Sequence, residues 1–535
     1  MSEDHARSAF RITPRILAVP GSLAAEAFAE GPAASLFRAV IQPGSVGEVG
    51  VYRPGRIGPE AFVATSARAR SKLEAILRGD GQLVTTGQQP GLFLGPLYTL
   101  YKTATAIQLA AELERSTDRP TLAAFWVAAD DHDWDEIGLC RVLGMDEVLT
   151  EIRLDPPEGR QGRSVGEAVL PHTITGQVER LGELAGIRVS GEDRVGFLDA
   201  VREAYRPGET MSGAFVKVMA HVFADHDLVL LDSSGPAIRQ AAAGLYGRII
   251  QRPAEIADAM ARGMELVQQA GFPIQLSPPE SGVQLFYDDG SARRHLLANS
   301  SGFTSGVGNE WSPERLVALL HEQPTAFTPA AALRPVIESW LLPIAVSVLG
   351  PGELSYWAQL GPLFQTLDVD MPAVAARDSW LLIESRVDRL LHKLGVDETV
   401  VEEDSGALRH QILENGRPAG ISRALTRLDQ DIKTRFANLE SVGEAELPGL
   451  KSAVGKARHG MERVLDDLRR VVDRRVSERE SSSMQQLQRL VANLAPAGHS
   501  QERMLGAVAF LARYGPDLVD RLIEHGDVAG PQDRD

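Results

Sequence analysis

Two segments of this chain hold residue types in spacings that could do chemistry. The first is Thr85-Thr86-Gly87-Gln88-Gln89-Pro90-Gly91-Leu92-Phe93-Leu94-Gly95-Pro96. Three glycines within nine residues allow close backbone approach to a ligand, and the amides opening the next helix favour anions. Gln88 and Gln89 each offer two donors and a carbonyl acceptor, a set suited to reading a polar substrate. Thr86 leads into them, and Lys102, one turn inside the helix from the candidate binding residue Tyr98, could point back toward a phosphate or carboxylate. This is no Walker loop, because no Gly-Lys-Ser/Thr follows the turn. A tight strand-to-helix turn is the plain alternative, although paired glutamines add nothing to turn formation.

The second segment, Asp130-Asp131-His132-Asp133-Trp134-Asp135-Glu136, packs five carboxylates and one imidazole into seven residues. Crowded carboxylates raise one another's pKa unless something cationic is near. They could ligate a divalent metal, hold an ammonium or ribose hydroxyls beside a general base, or cap a helix N-terminus. His132 is the first choice for acid–base work because it alone titrates near neutrality, with Asp130 and Asp133 as its companions. Asp131 and Glu136 are candidate substrate ligands, and no metal is assigned. A third segment, Gly350-Pro351-Gly352-Glu353-Leu354-Ser355-Tyr356-Trp357-Ala358-Gln359-Leu360, offers Gly352 and Glu353 at a strand end. Tyr356 and Gln359, three apart on the helix that follows, would share a face toward the same place.

The elements that must position these groups read as a β-α-β unit over residues 82–130. Gln82–Thr86 is a short strand. Leu97, Leu100, Tyr101, Ala104, Ile107, Leu109 and Leu113 then recur at helical spacing, and Thr121–Ala129 is an apolar run suited to a strand buried on both faces. Parallel neighbours need a crossover, so both strands end at one sheet edge and bring the glycine turn near the acidic loop. Leu228–Asp232 and Ile344–Leu349 fit the same sheet. The stretches at about 140–205 and 236–335 are insertions on the core.

From about Trp380 the pattern changes. Leu425, Leu428, Ile432, Phe436 and Leu439, then Leu447, Leu450, Val454, Ala457, Met461, Val464, Leu468 and Val471, recur every three or four residues. Sustained spacing of that kind predicts an antiparallel coiled-coil hairpin turning at Gly443–Gly449, with an ordinary helical bundle as the alternative. The expected division is a catalytic core over 1–375, a coiled-coil domain over 376–495 and a C-terminal segment over 496–535 packing back on the core.

Bulk properties set the outer limits. The 535 residues carry a formal charge of −17, which argues against nucleic acid as a general partner. Cys140 is the only cysteine, so no intrachain disulfide is possible and a reducing, cytoplasmic setting fits. A buried structural thiol is the expected role for Cys140. The N-terminal residues lack the pattern of a signal peptide, and the apolar stretch from Trp340 to Gly350 is too short to span a bilayer.

Together, TTGQQPGLFLGPLYTLYK, FWVAADDHDWDEI, LLPIAVSVLGPGELSYWAQL and FLARYG resemble the bacillithiol-biosynthesis cysteine-adding enzyme family, ligases that join cysteine to glucosaminyl-malate. The resemblance follows the same order over most of the chain. It implies a Rossmann-like parallel sheet core with connecting insertions, plus an α-helical coiled-coil domain supporting a homodimer. It also implies amide formation between the cysteine carboxyl and the glucosamine amine, driven by ATP or another nucleotide, with magnesium as the ion such a nucleotide would bring. The family's pocket positions fall here on Gly87, Gln88, Gln89, Gly91, Asp130, His132, Asp133, Gly352, Glu353 and Gln359. Two positions depart from the family pattern: Ala330 where an Asn is expected and Ala376 where a Pro is expected. Beside the ligase stand two other readings, a metal-dependent hydrolase using the acidic loop and a non-enzymatic coiled-coil assembly protein.

Overall fold

The computed structural model describes residues 10–15, 20–29, 31–41, 49–130, 133–157, 164–186, 192–277, 282–290, 292–306, 308–447, 449–479 and 481–525. The chain forms two compact units, one of Met1–Leu382 with Glu502–Asp535 and one of Ile383–Gln501. The helical unit therefore begins and ends a few residues later than the 376–495 expected, and the return to the core starts at Glu502 instead of 496.

The first unit is built on a seven-stranded sheet. Its strands in chain order are β1 (Val40–Ile41), β2 (Phe62–Ala64), β3 (Gln82–Gln88), β4 (Thr121–Val127), β5 (Leu228–Asp232), β6 (Ile344–Leu349) and β7 (Ala373–Ala376). Their spatial order is β1-β7-β6-β3-β4-β5-β2, parallel throughout except for β2, which runs antiparallel to β5. Every residue of β4 and β6 is buried, as unbroken apolar runs require when helices cover both faces of a sheet. From β3 the chain steps one way to β4 and β5, while β6 and β7 lie on the other side. The strand order reverses between β3 and β6, and crevices for ligands open at the carboxyl ends of strands at such a point.

Helix α1 (Tyr98–Thr117) connects β3 to β4. A short helix α2 (Trp134–Ile137) follows β4 and opens the first insertion, which holds the antiparallel hairpin Leu139–Leu143/Leu149–Arg153 and two further helices. The second insertion begins with helix α3 (Pro236–Gln251) and contains a five-stranded antiparallel sheet ending in Phe327–Pro329. Helix α4 (Arg334–Leu341) then leads into β6, and α5 (Pro351–Trp357) leaves it. No helix among the described residues is long and apolar enough to cross a membrane.

The second unit is helical. Its long arms, α6 (Ala419–Glu446) and α7 (Lys451–Arg479), run antiparallel: Glu440 pairs with Arg458 at 3.5 Å, Asp429 with Arg469 at 3.6 Å, and Arg417 with Asp473. Between the arms Leu425, Ile432 and Leu465 are buried, with Phe436 and Val472 packed against them. The seam differs from the one read by spacing. Met461, Val464, Leu468 and Val471 are 44–60% exposed, and Leu428, Leu439 and Val442 are exposed as well. A heptad pattern fixes which residues share a row but not which row faces the other arm. Here the arms are rotated so that a second apolar row points outward.

Candidate functional site

Two cavities of about 300 and 330 Å³ flank the end of β3 and share Gln88, Gln89 and Glu136 in their linings. The first is closed by Gly91, Gly95, Tyr98, Cys140, Arg141 and Arg503 among others. The second lies at the strand-order reversal, between the ends of β3 and β6, and is lined by Thr85, Thr86, Arg334, Glu338, Glu353 and Tyr356 among others. The glycine turn and the helix that follows the acidic loop thus meet across one wall.

Gln88 is held at both ends. Its Nε2 donates to the Tyr98 hydroxyl at 3.1 Å, and its Oε1 accepts from Lys102 Nζ at 3.1 Å. Lys102 is buried and gives its other hydrogens to Gly87 O at 2.8 Å and Glu353 Oε2 at 2.6 Å. Burial lowers the Lys102 pKa, opposed by Glu353. An ammonium has three hydrogens, and all three are engaged. Lys102 therefore orients Gln88 and Glu353, and does not reach for a phosphate as its spacing suggested. Glu353 also accepts from Gly350 N at 2.8 Å, capping α5, and its side chain keeps 27% exposure on the cavity it lines. Burial pushes the Tyr98 hydroxyl up to about 12, so it stays a neutral hydrogen-bonding group.

The glycines serve backbone packing. A Cβ on Gly87 would lie 2.8 Å from Trp126 O on β4, and one on Gly91 would lie 2.9 Å from the Gly95 Cα. Both positions exclude a side chain because the chain packs on itself there, while Gly87 lines the second cavity and Gly91 the first. Phe93 and Leu94, both fully buried, adopt φ of 52° and 73°, and Phe93 packs edge-on against Tyr205 at 4.8 Å. Burial holds a turn that costs backbone strain. The amides opening α1 are likewise engaged: Leu97 N with Leu505 O at 2.9 Å, Thr99 N with Pro96 O at 3.0 Å and Leu100 N with Leu97 O at 2.9 Å. The Thr99 and Leu100 amides of that helix start are thus already taken by the chain itself.

The acidic loop divides its labour. Asp130 is buried and pairs with Arg239 of α3 at 2.9 Å, and the same guanidinium pairs with Glu167 at 2.7 Å. Asp133 Oδ1 accepts from Glu136 N at 3.1 Å and caps α2. Neither is disposed as a free base. Asp135 is 95% exposed, and Glu136 borders both cavities. Asp131 and His132 lie outside the described residues. Among the described residues, no three His, Cys, Asp or Glu side chains gather as a metal-ligand group.

Tyr356 lines the second cavity, but Gln359 does not. It is fully buried, its Oε1 accepting from Gln275 N and Leu276 N at 2.9 and 3.0 Å and its Nε2 donating to Leu276 O at 3.0 Å. Gln359 pins the 275–276 segment. Gly352 lines neither cavity, and a Cβ there would meet nothing within 4 Å. Cys140 is buried and its thiol is pushed up to about 12 by burial, so it stays un-ionised at neutral pH, as a structural thiol does.

Sequence reasoning missed Arg239, Glu338, Arg334 and Arg503. Glu338 alone left a signal: it is the one acid in the apolar helix Arg334–Leu341. Burial pushes its carboxyl up to about 8, opposed by a hydrogen bond with Thr85 and supported by Glu353.

A family model described as "Bacillithiol biosynthesis BshC, N-terminal Rossmann-like domain" matches residues 60–378, and one described as "Bacillithiol biosynthesis BshC, C-terminal coiled-coil domain" matches 380–531. The chain belongs to the BshC family. A relative from Salinibacter ruber named "Putative cysteine ligase BshC" is 31% identical over 85% of this chain and 82% of its own. Those of the same name from Symbiobacterium thermophilum and Koribacter versatilis are each 32% identical, over 82% and 86% of this chain and 81% and 85% of theirs. Strands β2 to β7 of the first unit thus lie in the family's Rossmann-like domain, and the arms α6 and α7 belong to its coiled-coil domain.

Ala330 and Ala376, where the resemblance implied an Asn and a Pro, sit beside structural anchors. Ala330 N donates to Gln284 O at 2.8 Å just after the strand Phe327–Pro329, and Ala376 ends β7 immediately before the buried Arg377. Neither alanine lines either of the two cavities.

Proposed function

We propose that this chain is a ligase that joins the carboxyl of cysteine to the amine of glucosaminyl-malate, at the paired cavities on either side of Gln88 and Gln89. The observation that carries this reading is the shared wall. Two adjoining spaces, with a fixed carboxamide and Glu136 between them, suit two substrates that must meet end to end. Holding two reactants in line replaces a bimolecular encounter with a local one. The names of the relatives add the cysteine.

A carboxylate and an amine do not condense in water unassisted, so the cysteine carboxyl must first be activated. ATP or another nucleotide, with magnesium as its counter-ion, is part of this proposal. Its phosphates would be held by side chains, for which Arg141 and Arg503 of the first cavity have the right charge. The protein's work is to bind, orient and move protons. The un-ionised setting of Cys140 keeps a competing thiol nucleophile out of the reaction.

The test is chemical: purified protein given cysteine, glucosaminyl-malate and a nucleotide should release the amide, read by mass spectrometry. A chain that turns over a metal-dependent hydrolysis instead, with no amide, would contradict it.

We further propose that the chain works in the cytoplasm as a homodimer through the outward row Met461, Val464, Leu468 and Val471. An apolar row at heptad spacing, left open by the other arm, suits a second copy. Val464→Glu with Leu468→Glu should convert a dimer to a monomer in sedimentation. A wild type that sediments as a monomer at high concentration would refute the dimer.

A further inference from the structure

Glu338 is an unusual residue for its place. It sits in α4 among Val336, Ile337, Ser339 and Trp340, all buried, yet its own side chain is only half-buried because it borders the second cavity. The hydroxyl of Thr85 reaches its carboxyl, and Thr85 in turn lies 3.2 Å from the Ser347 hydroxyl. These hydroxyls stand on paired residues in the middle of the neighbouring strands β3 and β6, so the carboxyl is fixed by rigid strands. The other charged or titratable groups on this cavity are Arg334 one turn earlier on α4, Glu353 and Tyr356 of α5, and Glu136 of α2. Lys102 of α1 stands behind Glu353, already paired with it.

Glu353, Asp130 and Asp133 are each tied to a cation or a helix end, as described above. Glu338 is held by a neutral hydroxyl instead, and no cation is paired with it among the ion pairs of the described residues. Resting on the ligase reading, we propose that Glu338 is the general base that takes a proton from the acceptor amine as it attacks the activated cysteine carboxyl. The amine leaves its ammonium proton in water on entering the cavity. Its nitrogen lone pair then forms the C–N bond to the carboxyl carbon of an acyl phosphate or acyl nucleotidyl anhydride. One N–H proton passes to the Glu338 carboxylate, and the bond to the phosphate oxygen breaks, the phosphate leaving with the electron pair. Glu338 returns its proton to solvent. A carboxyl raised into the range of amine pKa values is matched to that task. The base must be ionised to act, so the rate climbs as pH rises through about 8.

Glu338→Gln, nearly isosteric, tests this in two readouts. In the ligation assay kcat should fall by about 100-fold or more while the KM for glucosaminyl-malate changes little. The rise of kcat with pH should vanish in Glu338→Gln and survive in Glu338→Asp. Glu338→Gln that keeps kcat within threefold, or keeps the rise with pH, overturns the proposal. Infrared difference spectra give the second readout, independent of turnover. Wild type at neutral pH should show a protonated carboxyl band that is lost at alkaline pH, absent from Glu338→Gln, and perturbed by added glucosamine. If wild type makes no amide the ligase reading fails by itself. A band missing, or untouched by glucosamine, removes Glu338 from the amine's path whatever the reaction proves to be.

Discussion

Glu502→Ala is expected to lower folding stability by about 3–5 kcal/mol, the cost of leaving a buried cation without its partner. Glu502 receives both guanidinium arms of Arg377, at 2.9 and 2.6 Å, and the Ser379 hydroxyl at 2.7 Å. The side chains of Arg377 and Glu502 are only 2% and 8% exposed. The pair fastens the returning C-terminal segment to the end of the sheet. Beyond it, Leu505 O accepts from Leu97 N, Gly506 N donates to Arg141 O, and Ala507 N donates to Gly95 O, so the segment forms one wall of the first cavity. Denaturant titration should show the loss. Arg377→Met with Glu502→Leu should recover much of it, because an apolar pair leaves no charge stranded. A Glu502→Ala chain within about 1 kcal/mol of wild type would mean that water reaches the pair and the wall is not anchored there.

Lys102→Met is expected to cut kcat/KM by about 100-fold or more, the scale on which a misplaced reacting group is felt. Methionine fills much of the same space but removes the one cation that Gly87 O, Gln88 and Glu353 share. Gln88 then loses the contact that fixes its carboxamide between the cavities, and Glu353 loses its counter-ion while still capping α5. Lys102→Arg should not restore the rate, because a planar fork cannot meet three acceptors converging on one buried ammonium. Steady-state kinetics on protein verified as folded by circular dichroism decides the matter. Activity within threefold of wild type would show that Lys102 is mere packing.

The residues explain which parts of this structure can be read in advance. β4 and β6 are legible because a strand buried on both faces must be apolar throughout, and the turn after β3 announces itself by its glycines and paired glutamines. The roles within the acidic loop are not legible, since they depend on Arg239, 109 residues away from Asp130. No local pattern encodes such a pairing. The same holds for Arg377 and Glu502, 125 residues apart. Gln359 misleads because α5 ends at Trp357, so helical spacing does not carry to it, and it lies buried against the 275–276 segment. In the hairpin, spacing reveals apolar rows, and only the rotation of the arms decides that Leu465 turns inward and Val464 outward. Glu338 hides for the opposite reason: a lone acid in an apolar helix becomes meaningful only when a cavity opens beside it.

On the proposed function, cysteine and the amino-sugar conjugate are joined in the two cavities sharing Gln88 and Gln89. The most direct test is the ligation itself, run with wild type and Lys102→Met side by side and read by mass spectrometry. Wild type should yield the cysteinyl amide, dependent on both substrates and a nucleotide, and the variant should do so at a rate lower by about two orders of magnitude. No amide from wild type under any nucleotide, or equal amide from both proteins, would contradict this reading.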